Sequence, residues 1–159
     1  MASQALKPPD ARQDFVADYL LYLLAAASDA ASEQFHAHVR EAGLRVPEWR
    51  VLACLHGRDG AMITHLAKLA LVEQSRLTRI IMQMDDKGLV TRQGDAEDRR
   101  RVRVWLTDAG RRLADRLVAD ALVHERSLMK ELEGSDGVCL KRALRDLLTK
   151  LPTPADPAT

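Results

Sequence analysis

Leu69 to Gly110 reads LALVEQSRLTRIIMQMDDKGLVTRQGDAEDRRRVRVWLTDAG, and this stretch decides the fold. Its first part repeats apolar residues at helical spacing, namely Leu77, Ile80, Ile81 and Met84. Its second part alternates apolar and polar residues, which is typical of strands. We therefore predict a helix over Ser75 to Lys87, followed by a β-hairpin with strands over Leu89 to Gln93 and Arg101 to Leu106.

A shorter helix is predicted immediately before this one, over Thr64 to Leu71. Thr64 is a suitable N-cap, and Leu66, Leu69 and Ala70 form the expected buried side. A break around Val72 to Gln74 separates the two helices. Two short helices joined by a tight turn, the second with a polar face, are the helix-turn-helix arrangement.

Longer helices are predicted on both sides of this centre. The segment from Asp14 to Ala42 is apolar on several sides, so we expect part of it to lie in a subunit interface. Gly43 ends that helix, and Pro47 opens the next one. Thr107 and Asp108 begin a helix that runs to about Leu132, and a last helix covers Val138 to Leu151. The fold class is therefore mainly α with a small β-hairpin, in the order of four helices, the hairpin and two helices.

Composition fits one soluble unit of 159 residues with a net charge of +1. Cys54 and Cys139 stand far apart and form no disulfide framework, which favours a reduced, cytoplasmic protein. The apolar run from Tyr19 to Ala27 is shorter than the ~20 residues that span a bilayer, so no membrane association is expected.

The polar face of the second short helix suits the reading of DNA bases in the major groove. Arginine binds guanine in a bidentate manner, glutamine does the same with adenine, and hydroxyls bond to phosphate or base. The candidate DNA-binding residues of the two helices are Thr64, Gln74, Ser75, Arg76, Thr78, Arg79 and Gln83. For an isolated helix, an ordinary solvated polar face would be the simpler interpretation.

The hairpin favours DNA binding, because four of the five residues from Arg99 to Arg103 are arginine. A basic hairpin after a recognition helix corresponds to the wing of a winged helix, where an arginine enters the minor groove and others bind phosphates. The candidates in the wing are Asp98, Arg99, Arg100, Arg101 and Arg103. The competing interpretation is a surface cluster neutralised by Asp95, Glu97 and Asp98.

Several motifs in fixed order resemble the MarR family of winged helix-turn-helix transcriptional regulators. They are S-x-x-T-R-x-I (from Ser75), K-G-L-V-x-R (Lys87 to Arg92), D-x-x-D-R-R (Asp95 to Arg100), L-T-x-x-G (Leu106 to Gly110) and V-P-E-W-R-V-L (Val46 to Leu52). Val46 departs from the family's usual Ser/Thr cap, for which Pro47 compensates in part. The resemblance covers most of residues 14–151.

This resemblance implies a homodimer that binds double-stranded DNA at a pseudo-palindromic operator, with half-sites ~34 Å apart. It implies an N-terminal dimerisation helix over 11–45, a winged helix-turn-helix over 46–107 and C-terminal dimerisation helices over 108–151. The prolines of the two ends predict a flexible arm over residues 1–10 and a disordered tail over 152–159. It also assigns Asp98 to orienting nearby arginines, and either Arg99 or Arg100 to the minor groove.

The resemblance further implies a repressor that a small aromatic acid or phenol releases from DNA. Candidate ligand-binding residues are Tyr22, His36, His38, Trp49 and Arg50, each of which could instead be a packing or surface residue. We expect no cofactor and no metal, because the histidines lack the spacing of a paired ligand. A metal- or redox-responsive regulator of the same fold remains the alternative.

The sequence bears on two other function classes. An enzyme is not expected, because the sequence holds no GxGxxG, GxxxxGK[ST], GxSxG or HExxH motif. A winged helix that serves protein assembly without DNA binding is the second alternative, but the exposed arginines argue against it.

Overall fold

The structure is a computed structural model that describes residues 15–95, 101–132 and 134–151. The chain divides after Val46 into two compact units. The predicted fold class is confirmed: helices dominate, and the strands form one small antiparallel sheet.

The first unit holds helices α1 (Phe15–Asp18) and α2 (Leu20–Glu41). The prediction of one continuous helix over this segment was wrong, because Tyr19 adopts an extended conformation with φ −76° and ψ 115°. The prediction for Gly43 is confirmed: its φ is +75°, and its N–H donates to the Arg40 carbonyl at 2.9 Å. A left-handed glycine at this point ends a helix with little strain.

The second unit contains the remaining elements, except that Val46, the first residue of α3, belongs to the first unit. They are α3 (Val46–Gly57), β1 (Ala61–Met62), α4 (Ile63–Ala70), α5 (Gln74–Asp86), β2 (Val90–Gly94), β3 (Val102–Leu106), α6 (Asp108–Glu131) and α7 (Asp136–Lys150). The sheet order is β1-β3-β2. Val104 in the central strand β3 lies opposite Ala61 of β1 on one side and opposite Arg92 of β2 on the other. Sequence analysis missed β1, since two residues are too few to show a periodicity.

The core of the second unit is aliphatic. The predicted buried face of α5 is confirmed, and the fully buried side chains include Leu52, Leu55, Leu66, Leu77, Ile81, Met84, Val90, Val104 and Leu117. The prediction for Leu69 was wrong: this side chain is 49% exposed, and Ala67 lies on the buried side of α4 in its place. The buried side of α4 is therefore formed by Leu66, Ala67 and Ala70.

Two helix starts differ from the expectation. α4 begins at Ile63 with Met62 as its N-cap residue and no side-chain cap, so the assignment of Thr64 as the cap was wrong. α5 begins at Gln74, one residue early, because the side chain of Glu73 caps it. The turn between them places Leu71 in the left-handed region at φ 55°.

The start of α6 is fixed to the end of α5. Thr107 caps α6 as predicted, since its Oγ1 accepts from the Gly110 N–H at 3.0 Å, and the same hydroxyl donates to the Gly88 carbonyl at 2.6 Å. The Thr107 N–H donates to the Leu89 carbonyl at 3.2 Å. Gly110 packs so closely on Leu89 that a Cβ there would overlap the Leu89 carbonyl. The L-T-x-x-G motif therefore joins α6 to the recognition helix.

Within the described residues, no helix is both long enough and apolar enough to cross a membrane.

Candidate nucleic-acid interface

Helix α5 presents two opposite faces. Leu77, Ile80, Ile81 and Met84 are buried. The polar residues proposed to bind DNA are all exposed, namely Gln74, Ser75, Arg76, Thr78, Arg79 and Gln83. The structure thus brings every candidate of this helix to its solvent-facing side, as a recognition helix requires.

The first turn of α5 is closed by a carboxylate. Glu73 Oε1 accepts a hydrogen bond from the Ser75 N–H at 2.8 Å, and Oε2 accepts from the Arg76 N–H at 3.0 Å and from Ser75 Oγ. The Ser75 hydroxyl, followed by these two N–H donors, lowers the pKa of Glu73 to about 2. The Ser75 hydroxyl is therefore already used in capping, and sequence analysis missed Glu73 because glutamate is not a usual N-cap residue.

A groove of about 650 Å³ runs between the start of α4, the start of α5 and β3. It is lined by Met62, Ile63, Thr64, His65, Lys68, Gln74, Thr78, Arg101 and Val102. Four predicted DNA-binding residues therefore line one surface, namely Thr64, Gln74, Thr78 and Arg101. His65 and Lys68 also line it, and sequence analysis did not include them.

The described part of the wing is held by Arg103. Its Nε donates to Asp95 Oδ2 at 2.5 Å, and its Nη1 donates to the Gly60 carbonyl at 3.1 Å. The Asp95 N–H donates to the Arg101 carbonyl at 2.8 Å and closes the base of the loop. Arg103 thus ties the wing to the β1 turn, while Arg101 is exposed. Asp98, Arg99 and Arg100 lie outside the described residues.

Helix α3 contacts the C-terminal ends of both helices of the helix-turn-helix. Arg50 Nη1 donates to the Ala70 carbonyl at the end of α4, at 3.4 Å. Lys87 Nζ, at the end of α5, donates to Glu48 Oε1 at 2.8 Å, and the Glu48 side chain is fully buried. A buried carboxylate is costly to leave without a partner, so the Glu48–Lys87 pair ties the end of α5 to α3.

The predicted ligand-binding residues are divided between the two units. In the first unit, Tyr22 and His38 are exposed, and His36 is half-buried. In the second unit, Trp49 and Arg50 are half-buried, and Arg50 is bonded to Ala70 as described.

The metal- and redox-sensing alternatives depend on possible metal ligands and on the two cysteines. Among the described residues, no group of three His, Cys, Asp or Glu side chains could hold a metal ion. Burial raises the pKa of the Cys54 thiol, which disfavours the reactive thiolate. Cys139 is exposed, and its sulfur accepts from Arg142 Nη2 at 3.7 Å.

Comparison with a family profile and with related sequences points to one family of proteins. A profile of the MarR family matches residues 44–102. The HTH-type transcriptional regulator FarR of Neisseria gonorrhoeae is 30% identical over 129 residues, which are 80% of this chain and 85% of FarR. The HTH-type transcriptional repressor IacR of Pseudomonas putida is 28% identical over 100 residues, which are 63% of this chain and only 60% of IacR.

Solved structures share the fold. The crystal structure of the MarR family transcriptional regulator SPO1453 from Silicibacter pomeroyi DSS-3 is 60% identical and superposes with a TM-score of 0.80, covering 87% of this chain and 98% of that one. NadR in complex with 4-hydroxyphenylacetate superposes with a TM-score of 0.73 at 23% identity, covering 96% of this chain and all of the NadR chain. At that identity the NadR likeness concerns the fold alone.

Proposed function

This chain belongs to the MarR family of DNA-binding transcriptional regulators, and from that premise we propose that it is a homodimeric repressor. Its ligand is a pseudo-palindromic operator, from which a small aromatic acid or phenol releases it. The observation that carries the proposal is the exposed polar face of α5 beside a groove lined by Lys68 and Arg101.

The base contacts are assigned to the exposed residues of α5. Arg76 and Arg79 lie three residues apart, on neighbouring positions of one helix face, and their guanidinium groups suit guanine O6 and N7. Gln74 and Gln83 suit adenine. Glu73 already accepts from the N–H groups of Ser75 and Arg76, so those two groups are not assigned to a phosphate. The positive charge of the exposed face of α5 comes from Arg76 and Arg79.

Wing contacts supplement these base contacts. Arg101 is exposed and lines the groove, so we assign it to phosphate. Arg103 is assigned a positioning role, because Asp95 and the Gly60 carbonyl already hold its guanidinium. Asp98, Arg99 and Arg100 keep the roles that the family resemblance implies.

Dimerisation is supported by apolar side chains that the terminal helices leave in solvent. They are Phe15, Leu20, Leu21, Tyr22 and Leu23 in the first unit, and Leu122, Val123, Leu128, Leu132, Val138, Leu140, Leu148 and Leu151 in the second. Exposed apolar residues in this number mark an interaction surface. A second copy of the chain is the occupant that fits, since the residues belong to the predicted dimerisation helices.

For the effector, we retain Tyr22, His36, His38, Trp49 and Arg50 as candidate contacts. A carboxylate requires a cation and an aromatic wall, which these residue types supply. The neighbour NadR, of the same fold, was solved with 4-hydroxyphenylacetate, which has both a phenol and a carboxylate. Such a ligand would release DNA if it bound one of two conformations more tightly.

The test is a titration of the purified protein into a fluorescent duplex from upstream of its own gene, with an unrelated duplex as control. We expect salt-sensitive binding that prefers the upstream duplex. Arg79→Ala should lose about 1–3 kcal/mol of binding free energy if Arg79 contacts a base. Arg116→Ala, which removes an exposed arginine on α6, is the matched control and should bind as the parent does. Equal affinity of the parent and Arg79→Ala would contradict the assignment of Arg79, and no binding at low salt would favour the protein-assembly alternative.

The effector is tested on the same complex with a panel of aromatic acids and phenols. A compound that releases the duplex should also change the fluorescence of Trp49, measured in a Trp105→Phe variant so that the other tryptophan is silent. Release without any change in Trp49 fluorescence would move the effector site away from that residue. Sedimentation of the free protein tests the dimer.

A further inference from the structure

The end of helix α5 is joined to helix α3 by an ion pair whose carboxylate lies in the core. Lys87 Nζ donates to Glu48 Oε1 at 2.8 Å; the Glu48 side chain is fully buried, and that of Lys87 is 45% exposed. Among the residues that the structure describes, Glu48 is the only charged one in a core that is otherwise aliphatic. A buried ion pair often stabilises a protein no more than apolar side chains of similar volume do, so a role other than stability is indicated.

The backbone ends α5 without this pair. The Lys87 N–H donates to the Gln83 carbonyl at 3.1 Å, and the Gly88 N–H donates to the Asp85 carbonyl at 2.8 Å. Gly88 has φ +67°, the left-handed conformation that commonly follows the last turn of a helix. The contact between Lys87 and Glu48 therefore concerns where the helix lies rather than where it stops.

The pair adds a directional contact to the apolar packing of α5. Leu77, Ile81 and Met84 hold the buried face of the helix, but apolar burial has no preferred direction. A charge-assisted hydrogen bond is short and directional, so it restricts the tilt of the helix more strictly. At the same end of α5, Arg92 pairs with Asp85 at 2.8 Å, but both side chains are partly exposed and solvent weakens that attraction.

A movement at the end of α5 reaches the residues assigned to base contacts. Arg79 and Arg76 lie eight and eleven residues before Lys87, which is about 12 and 17 Å along the axis at about 1.5 Å per residue. Ile80 and Ile81 are buried between these points, so a movement of Lys87 would tilt α5 about them and displace Arg76 in the opposite direction. Hydrogen bonds to bases need donor–acceptor distances of about 2.7–3.2 Å, so a displacement of about 1 Å breaks them.

We propose that the Lys87–Glu48 pair positions α5 for base reading and thereby determines operator preference without contacting DNA. This inference rests on the proposed DNA binding. Both residues are positioning residues, because they act through the base contacts of Arg76 and Arg79. Loss of the pair lowers the preference, meaning the ratio of the affinities for the upstream and unrelated duplexes. A phosphate contact by Lys87 itself would instead contribute equally to both duplexes.

Lys87→Met removes the cation of the pair in the full chain. We expect the preference for the upstream duplex to fall at least about fivefold, the contribution of one base contact. Lys87→Arg keeps a cation for Glu48 and should retain most of the preference. Lys150→Met is the matched control, because it removes the same charge at the end of α7, and it should retain all of the preference. Equal weakening on both duplexes would assign Lys87 to a phosphate and overturn the inference.

Glu48→Met removes the carboxylate and places an apolar side chain of similar length in the aliphatic core, so we expect it to fold, which circular dichroism verifies. Electrostatics alone predict that removing a negative charge strengthens binding to any duplex. The positioning role predicts weaker binding to the upstream duplex, with unchanged or stronger binding to the unrelated one. Binding of the upstream duplex as tightly as by the parent would exclude a positioning role for Glu48.

A double-mutant cycle with Arg79→Ala shows whether the pair acts through base contacts. Because Lys87 lies about 12 Å from Arg79 along the helix, independent effects of the two sites would add. We expect Arg79→Ala to reduce the preference less in the Glu48→Met background than in the parent, since the contact is already misaligned. Full additivity would overturn the inference.

The outcomes separate this inference from the proposed function. A parent protein that does not prefer the upstream duplex overturns the proposed function, and the positioning role falls with it. A parent that prefers the upstream duplex, with the same preference in Lys87→Met and Glu48→Met, overturns only the positioning role.

Discussion

Gly110→Ala tests whether the start of α6 is fixed to the end of α5. A Cβ at this position would lie 2.9 Å from the Leu89 carbonyl carbon and closer still to its oxygen, and ordinary contacts begin at about 3.5 Å. The obstruction is backbone, so the junction must move. That movement would weaken two hydrogen bonds, from Thr107 N–H to Leu89 and from the Thr107 hydroxyl to Gly88.

The expected loss of stability combines the cost of overpacking, the loss of the two hydrogen bonds and the gain in helix propensity. Overpacking costs about 1–3 kcal/mol, and two hydrogen bonds cost about 1–3 kcal/mol together. Alanine offsets about 1 kcal/mol through its higher helix propensity. We expect a net loss of about 3 kcal/mol in the free energy of unfolding, which lowers the melting temperature by roughly 6–12 °C in a protein of this size.

Urea unfolding followed by circular dichroism measures the effect on Gly110→Ala. Gly57→Ala is the matched control, because Gly57 is also helical and nothing lies within 4 Å of the added Cβ. We expect that control to unfold at or above the parent's midpoint. If Gly110→Ala unfolds at the parent's midpoint too, the reasoning about the junction is refuted.

Three further predictions concern the wing, the recognition helix and the thiols. Gly60→Ala would place a Cβ 2.5 Å from Trp105 Cζ2, at a residue whose backbone φ is +72°. We therefore expect the variant to be about 1–3 kcal/mol less stable in urea unfolding and to bind the duplex more weakly. A variant that behaves like the parent would argue against this packing. Glu73 has its pKa lowered from 4.5 to about 2, so its stabilisation is present above about pH 4.5 and lost as the pH falls toward 2. Glu73→Gln should therefore be less stable than the parent near neutral pH and equal to it near pH 2, and a constant difference would exclude the carboxylate as the cause. In a Cys139→Ser background, Cys54 should react with iodoacetamide more slowly in the folded protein than in denaturant, because burial raises the pKa of its thiol. Equal rates would contradict that burial.

The sequence correctly predicted those features of the fold that depend on residues close together in the chain. The buried face of α5, the Thr107 cap and the left-handed Gly43 follow from periodicity and capping within a few residues. The hairpin strands were also placed to within a residue, because β3 alternates cleanly between Val102 and Leu106.

Contacts between distant residues were not predictable in this way. Arg103 is a wing arginine by sequence, but its guanidinium is held by Gly60, which lies 43 positions earlier. The bond from Arg50 to the Ala70 carbonyl depends on how α3 packs against the end of α4, and no local pattern indicates it. The cap formed by Glu73 was missed and Leu69 was wrongly placed on the buried side, because the turn between α4 and α5 decides which side chains cap and which face solvent.

The two faces of α5 have a consequence for evolution and for engineering. Residues that hold the helix in place, such as Leu77 and Ile81, are distinct from Arg76 and Arg79, which face outward. Changes at the outward positions leave the buried side intact, so operator preference is free to diverge among copies of this gene while each product still folds. A library randomised at Gln74, Arg76 and Arg79 should therefore yield mostly folded proteins with different target sequences.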